Sequence, residues 1–388
     1  MMPAWLWLGL ALIGPASLLA GVALFLRHFR AGVTKPVDLP PITILMPLCG
    51  IDPELATNIE SVLDQDYPTF MVCLCLESRD DSAWDIAMQF LPRVQLFVGA
   101  EQVGSNPKIN NLIRAYRTAS SDWVLISDSN ARMERGFLRA LAGQFVPGCG
   151  LVTAVVAGRL AEGAGGNLEV AYLNTWYPRW MLIAATMHFP LVIGKCMAIR
   201  KSIGERFGGL QAVAAYIAED YVFGRLVKRN KASVRLLRQP TVQVIGKQTF
   251  ASFWRRQNRW TVIRKVHAPL LFACEPLAYC YCSAAILGFG LNSRFGHFAA
   301  IAGAASLITS WFLLDAFVAA RLSTRLSPKW ALAWYVRESL ALPLWISALV
   351  SSNILWRGKA YRLEVGGVSV SAHSTQATSM STKQVGQS

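Results

Sequence analysis

The run AWLWLGLALIGPASLLAGVALFL, Ala4–Leu26, carries no charge and exceeds the roughly 20 residues that a bilayer span requires. Arg27, Arg30 and Lys35 follow it. Positive charge on that flank predicts an outside N-terminus, with the chain continuing in the cytoplasm. A cleaved signal peptide has its basic residues before a shorter apolar core, the reverse order. A Pro-rich linker, 31–41, ends this pattern, and from Ile42 short apolar runs alternate with helical spacing. ITILMPL (42–48), MVCLCLE (71–77), VQLFVG (94–99), WVLISDS (123–129) and LVTAVVAG (151–158) read as strands; Glu54–Gln65, Ala83–Phe90 and Lys108–Ala119 read as helices. Strands alternating with helices predict an α/β fold with a mixed, mostly parallel sheet. Such sheets bind ligands beyond the carboxyl ends of their strands.

Beyond about residue 268 the chain is apolar again. Ala268–Gly290 and Phe298–Ala320 read as two spans, and Arg321, Arg325 and Lys329 return the chain to the inside. The apolar segment 333–355 is interrupted by Arg337, Glu338 and Pro343 and followed by Arg357, Lys359 and Arg362. A true span would strand that basic cluster outside, so the expectation is a re-entrant or interface-lying segment with both ends cytoplasmic. The predicted division is an N-terminal transmembrane anchor (1–30), a cytoplasmic α/β domain (38–248), an interfacial amphipathic helix (249–267), C-terminal membrane segments (268–356) and a mostly disordered cytoplasmic tail (357–388) rich in Ser, Thr, Gly and Gln.

Composition agrees. Of 388 residues 53% are hydrophobic and 16% charged, against about 25% charged in soluble domains. The net charge of +15 collects beside the apolar segments, where anionic lipid headgroups attract it. No motif and no basic face away from the membrane supports nucleic-acid binding. The cysteines form no CxxC and read as free thiols in a reducing compartment, with Cys73 and Cys75 on one face of a strand.

Chemistry-bearing residues stand at the expected strand ends. Asp80 and Asp81 follow the second strand and suit hydrogen bonds to a base or ribose, or the capping of the next helix. Asp128-Ser-Asn130 ends WVLIS. A carboxylate with an amide oxygen two residues on suits Mg²⁺ or Mn²⁺ beneath a diphosphate; a turn before a helix needs the same residues. Lys108 opens a helix in GSNPKINN, where it can meet phosphate or simply follow an Asn/Pro cap. Glu219-Asp220 in AAYIAEDYVFGR matches a helix dipole or supplies a general base. In FWRRQNRW (253–260), Arg and Trp beside an apolar run mark a bilayer interface. Helical spacing also puts Arg256, Arg259, Trp260 and Ile263 on one face, leaving Phe253, Trp254 and Arg255 for the interface.

In this order, Asp80-Asp81-Ser82-Ala83, NPKINNL (106–112), DSN, AEDY and RRQNRW resemble the ceramide glucosyltransferases, inverting glycosyltransferases of GT-A fold. Cys274-Glu275-Pro276 and WRGKAYRLEVGG (356–367) extend the likeness, which covers about residues 40–367. The family pattern has Pro at Ser82, often Asp at Asn130, and in eukaryotic members His at Tyr177 of Tyr177-Pro-Arg179. The resemblance implies transfer of glucose from UDP-glucose to the primary hydroxyl of ceramide at the cytoplasmic face of a bacterial inner membrane. It implies Asp220 as base, Asp128 as metal ligand, Asp80, Asp81 and Lys108 at the nucleotide, and Arg256, Arg259 and Trp260 in the pocket floor. Hopanoid or diacylglycerol acceptors, and galactose, glucuronic acid or N-acetylglucosamine donors, are alternatives. A processive polysaccharide synthase shares the acidic residues but needs more spans to form a channel.

Overall fold

The computed structural model describes residues 4–356, 359–364 and 369–371. Its main sheet comprises β1 (Ile42–Pro47), β2 (Phe70–Leu76), β3 (Gln95–Val98), β4 (Trp123–Ile126), β5 (Ala131–Arg132), β6 (Cys149–Glu162), β7 (Met197–Arg200) and β8 (Ser233–Lys247), in the order β3-β2-β1-β4-β7-β6-β8-β5. β3, β2, β1 and β4 are parallel neighbours, β7 runs antiparallel to both β4 and β6, and β8 is parallel to β6. The mixed, mostly parallel α/β sheet of the GT-A type is therefore present.

Strand alternation builds two cores. Ile42, Ile44, Met46, Val72, Leu74 and Leu76 pack on one face with the helix Leu55–Leu63. Leu45, Cys73, Cys75, Val124 and Ile126 pack on the other with the helices Pro107–Thr118 and Glu219–Arg229. Side chains two apart share a face, and a sheet covered on both faces explains why its strands read as continuous apolar runs.

Among the described residues two helices are long and apolar enough to cross a membrane, Trp5–Arg30 and Cys280–Arg321. The second breaks at Gly296, where φ is 83°, a conformation open to glycine, and it folds back as a hairpin. A Cβ on Gly303 would stand 2.3 Å from Leu291 Cδ1, and one on Gly290 3.1 Å from Trp7 Cβ. At the other end Phe25 packs with Val318 and Leu322, and His28 Nε2 lies 3.0 Å from the Leu237 carbonyl of β8. The basic ends at Arg30 and Arg321 thus lie on the side of the sheet, and Gly296 lies on the far side.

Several expectations are corrected. The apolar run from Ala268 is not one span. It forms the short helices Pro269–Cys274 and Glu275–Ala278 before the long helix starts at Cys280. Pro276 supplies no N–H, and Glu275 is held sideways by Arg264 Nε (2.5 Å) and by the Tyr279 hydroxyl (2.9 Å). The segment expected to be re-entrant or interface-lying is one continuous helix, Pro328–Val350, with no re-entrant turn. Its interrupting charges are buried and paired: Arg337 Nη2 reaches Asp315 at 3.1 Å and Glu338 at 2.6 Å. The start of the tail is folded, because β9 (Asn353–Trp356), β10 (Lys359–Leu363) and β11 (Ser369–Ser371) form a second, antiparallel sheet; the remainder of the tail lies outside the described residues.

Candidate active site

The chemistry gathers where β4 ends. Asp128 follows this strand, and its two carboxylate oxygens meet two different lysines: Oδ1 lies 2.9 Å from Lys108 Nζ and Oδ2 2.9 Å from Lys195 Nζ. Lys195 also donates to Asn130 Oδ1 at 2.6 Å. The sheet register explains the encounter. Antiparallel β7 pairs Met197 with Ile126, so Lys195, two residues before Met197, falls opposite Asp128, two residues after Ile126. Burial would favour a neutral Asp128, but the two ammonium groups outweigh it and hold its pKa well below the usual carboxylate range.

Lys108 continues the network. Its Nζ donates to Glu219 Oε1 at 3.0 Å and approaches the Gly194 carbonyl at 3.4 Å. Burial works against its charge, but Asp128 and Glu219 prevail and raise its pKa. Asp220 stands beside this cluster at the first turn of the helix Glu219–Arg229. Its Oδ2 accepts from the Gly194 amide and its Oδ1 from the Tyr221 amide, each at 2.8 Å. Burial and the neighbouring Glu219 push its pKa up to about 7, against the pull of Lys108 and the two amides. A Cβ on Gly194 would lie 2.8 Å from Lys108 Nζ and 3.4 Å from Asp220 Oδ2, so any larger residue there must displace the end of the lysine.

The NPKINNL word is largely scaffolding that aims one lysine. Asn106 caps the helix, its side chain accepting from the amides of Lys108 (2.9 Å) and Ile109 (3.2 Å), with Pro107 at the first helical position. Its Nδ2 reaches the Tyr216 carbonyl at 2.6 Å and Glu219 Oε2 at 3.2 Å. Asn110 folds back on Val103 and Gly104, and Asn111 donates to carbonyls of Leu48 and Cys75, clamping the ends of β1 and β2. The cap reading is met by Asn106 and Pro107, and Lys108 itself is held by Asp128 and Glu219.

At the end of β2 the two aspartates part. Asp81 accepts from the amides of Gly50 (2.9 Å) and Ala83 (2.8 Å). Asp80 is exposed and bonds within its own loop, to Ser78. Asp81 therefore makes the backbone bonds of a loop cap, while Asp80 faces solvent.

FWRRQNRW lies on the helix Phe250–His267. Its buried stripe is Phe253, Gln257, Thr261 and Val262, polar at its centre, while Arg255 is exposed and the remaining motif residues are half-buried. Phe253, assigned to the interface, packs in the core with Tyr172. Arg256 Nη1 reaches the buried Glu169 at 3.3 Å, and Gln257 Nε2 donates to the same carboxylate at 3.1 Å. The Tyr177 hydroxyl donates to Gln257 Oε1 at 3.2 Å, and its ring meets Trp260 edge-on at 5.0 Å. Trp260 shares a cluster with Ile193, next to Gly194. Burial lowers the pKa of Lys195, against the pull of Asp128, and the nearby Arg256 lowers it further. Arg259 extends over the Trp356 ring at 5.9 Å, a partner distinct from those of Arg256 and Trp260.

Glu219 stood beside Asp220 as a candidate in AEDY; sequence reasoning missed Lys195 and Glu169, which stand in VIGKCMA and GNLEVA with no neighbouring polar motif.

The model of glycosyl transferase family 21 matches residues 12–369. The chain belongs to this family. Among family 21 relatives, it is 31% identical to ceramide glucosyltransferase 3 of Caenorhabditis elegans over 349 residues, 86% of this chain and 75% of the relative. It is 26% identical to the ceramide glucosyltransferase of Komagataella phaffii, over 85% of this chain and 84% of the relative. Among solved structures, the mannosyltransferase PcManGT of Pyrobaculum calidifontis, in complex with GDP-Man and Mn²⁺, aligns with TM-score 0.48 at 16% identity, covering 88% of this chain and 97% of that one. As a family 21 member with membrane-length helices, the protein is a membrane-associated, nucleotide-sugar-dependent glycosyltransferase.

Proposed function

We propose that the chain transfers glucose from UDP-glucose to the primary hydroxyl of ceramide with inversion, giving a β-glucoside. The observation that carries this reading is Asp220: a carboxylate fixed by two amides, with its pKa near neutrality, beside the lysine-bound carboxylate that closes β4. A base tuned near the working pH is the effective one. The acceptor hydroxyl gives its proton to Asp220 while its oxygen bonds to the anomeric carbon. The bond from that carbon to the diphosphate breaks, and its electron pair leaves with UDP. Asp81 takes the uridine side, Asp80 lying too far into solvent to share that role. Arg256 and Trp260 form the floor, with Arg259 beside them at Trp356.

Asp128 and Asn130 fit a divalent ion in kind, being oxygen donors. Asp128 and Asn130 would hold Mg²⁺ or Mn²⁺, which would supply charge neutralisation for the departing diphosphate.

The domain reading follows: spans at both ends, with the catalytic sheet (38–248) on the cytoplasmic face of a bacterial inner membrane, because Arg30 and Arg321 lie on its side. Ceramide's hydroxyl sits at headgroup depth, which the membrane attachment brings to the base. The test is purified protein with a panel of UDP-sugars and of ceramide, hopanoid and diacylglycerol acceptors. Glucosylceramide is the expected product, and exclusive turnover of another lipid or sugar overturns the assignment. Asp220→Asn should lower turnover about 10²–10⁴-fold with UDP affinity retained; parallel loss of UDP binding removes Asp220 from the role of base.

A further inference from the structure

The geometry points to Lys195, not Lys108, as the ammonium that engages the donor's diphosphate. The inference rests on the donor-site reading above and refines it. An ammonium has three donors. Those of Lys108 are matched by Asp128, Glu219 and the Gly194 carbonyl, so it is locked between strand end and helix. Those of Lys195 meet only Asp128 and Asn130 among the described residues, leaving one to spend. The partners of Lys195 are the same two oxygen-bearing residues that fit a divalent ion. It therefore occupies, before the donor arrives, the space where diphosphate charge must be met.

The two lysines also differ in what holds them. Lys108 is carried by a capped helix and wedged against Gly194, with no room for a Cβ between. Lys195 stands in the segment before β7, outside any helix, placed by the register of that strand between β4 and β6. Arg256 acts electrostatically on it, so an anion entering at Lys195 meets a second cation from the RRQNRW helix. Lys195 then supplies a charge-assisted hydrogen bond to the leaving diphosphate, and Asp128 is released from one of its two lysines as the donor binds.

The experiment is titration of the detergent-solubilised full chain with UDP and with uridine, in chelator so that no divalent ion contributes. Lys195→Met keeps the length of the side chain and removes the charge. It should weaken UDP by about tenfold to a hundredfold and leave uridine unchanged; Lys195→Arg should recover part of the loss. Uridine binding is the internal control for folding. Unchanged UDP affinity in Lys195→Met, or equal losses for UDP and uridine, overturns the assignment. So does wild-type UDP binding that is absent in chelator and restored by Mn²⁺ equally in both proteins. Wild-type protein that binds neither uridine nor UDP with or without Mn²⁺ sinks the donor reading itself, and this inference with it.

Discussion

Asp220 sets the pH behaviour at the scale of one residue. Its carboxyl is raised from the ordinary aspartate value to about 7. A base acts only when deprotonated, so transfer should rise with pH up to about 7 and level off above it. The midpoint should vanish from the residual rate of Asp220→Asn. The same shift has the opposite sign for stability. Between the unfolded value and 7 the native state binds the proton and the unfolded chain does not, so folding weakens as pH rises. The melting temperature of Asp220→Asn relative to wild type should therefore climb from pH 4 to 7; a difference independent of pH refutes the shift. Asp128 was legible because a strand delivers it to the sheet edge. Its partner Lys195 was not, because the encounter depends on β7 running antiparallel to β4, which no local pattern in VIGKCMA announces.

At the scale of the element, the helix Pro107–Thr118 is an aiming device. Its cap was readable from Asn-Pro, but the second duty of Asn106, at Glu219 and Tyr216, joins segments 110 residues apart or more. Asn106→Ala should cost about 1–3 kcal/mol, from the lost cap and the buried partners left unpaired, measured by denaturation in detergent. Gly194→Ala tests the opposite face of the lysine. The added methyl meets Lys108 Nζ, and overpacking of this kind costs about 1–3 kcal/mol. Turnover should fall while the far-UV circular dichroism spectrum is kept. The apolar run at 268–290 misled because hydropathy does not register how Pro276 and the Glu275–Arg264 pair divide it. Phe253 misled because an aromatic beside an apolar run suits an interface and a core equally.

For the whole molecule, the long apolar helix Cys280–Arg321 and the helix Pro328–Val350 are joined through buried charge. Asp315 accepts from Trp334 Nε1 at 2.8 Å and from Arg337, which also holds Glu338. Arg337→Met leaves both carboxylates without that cation, a loss of about 3–5 kcal/mol for a broken buried pair. A lower melting temperature in detergent should accompany it, and unchanged stability refutes the linkage. Read along the chain, Arg337 and Glu338 look like faults in an apolar segment; only their proximity to Asp315 gives them a purpose. The sequence alone determined the strand–helix alternation, the outer apolar segments and which strand ends carry acid, since these follow from periodicities of two and 3.6 residues and from charge beside apolar runs. Tertiary structure decided the rest: that two lysines meet Asp128, that Glu169 holds Arg256, that Gly296 turns a hairpin, and that Phe253 and Gln257 of FWRRQNRW face the protein interior. Those outcomes depend on register and on contacts between distant segments, and a one-dimensional pattern carries neither.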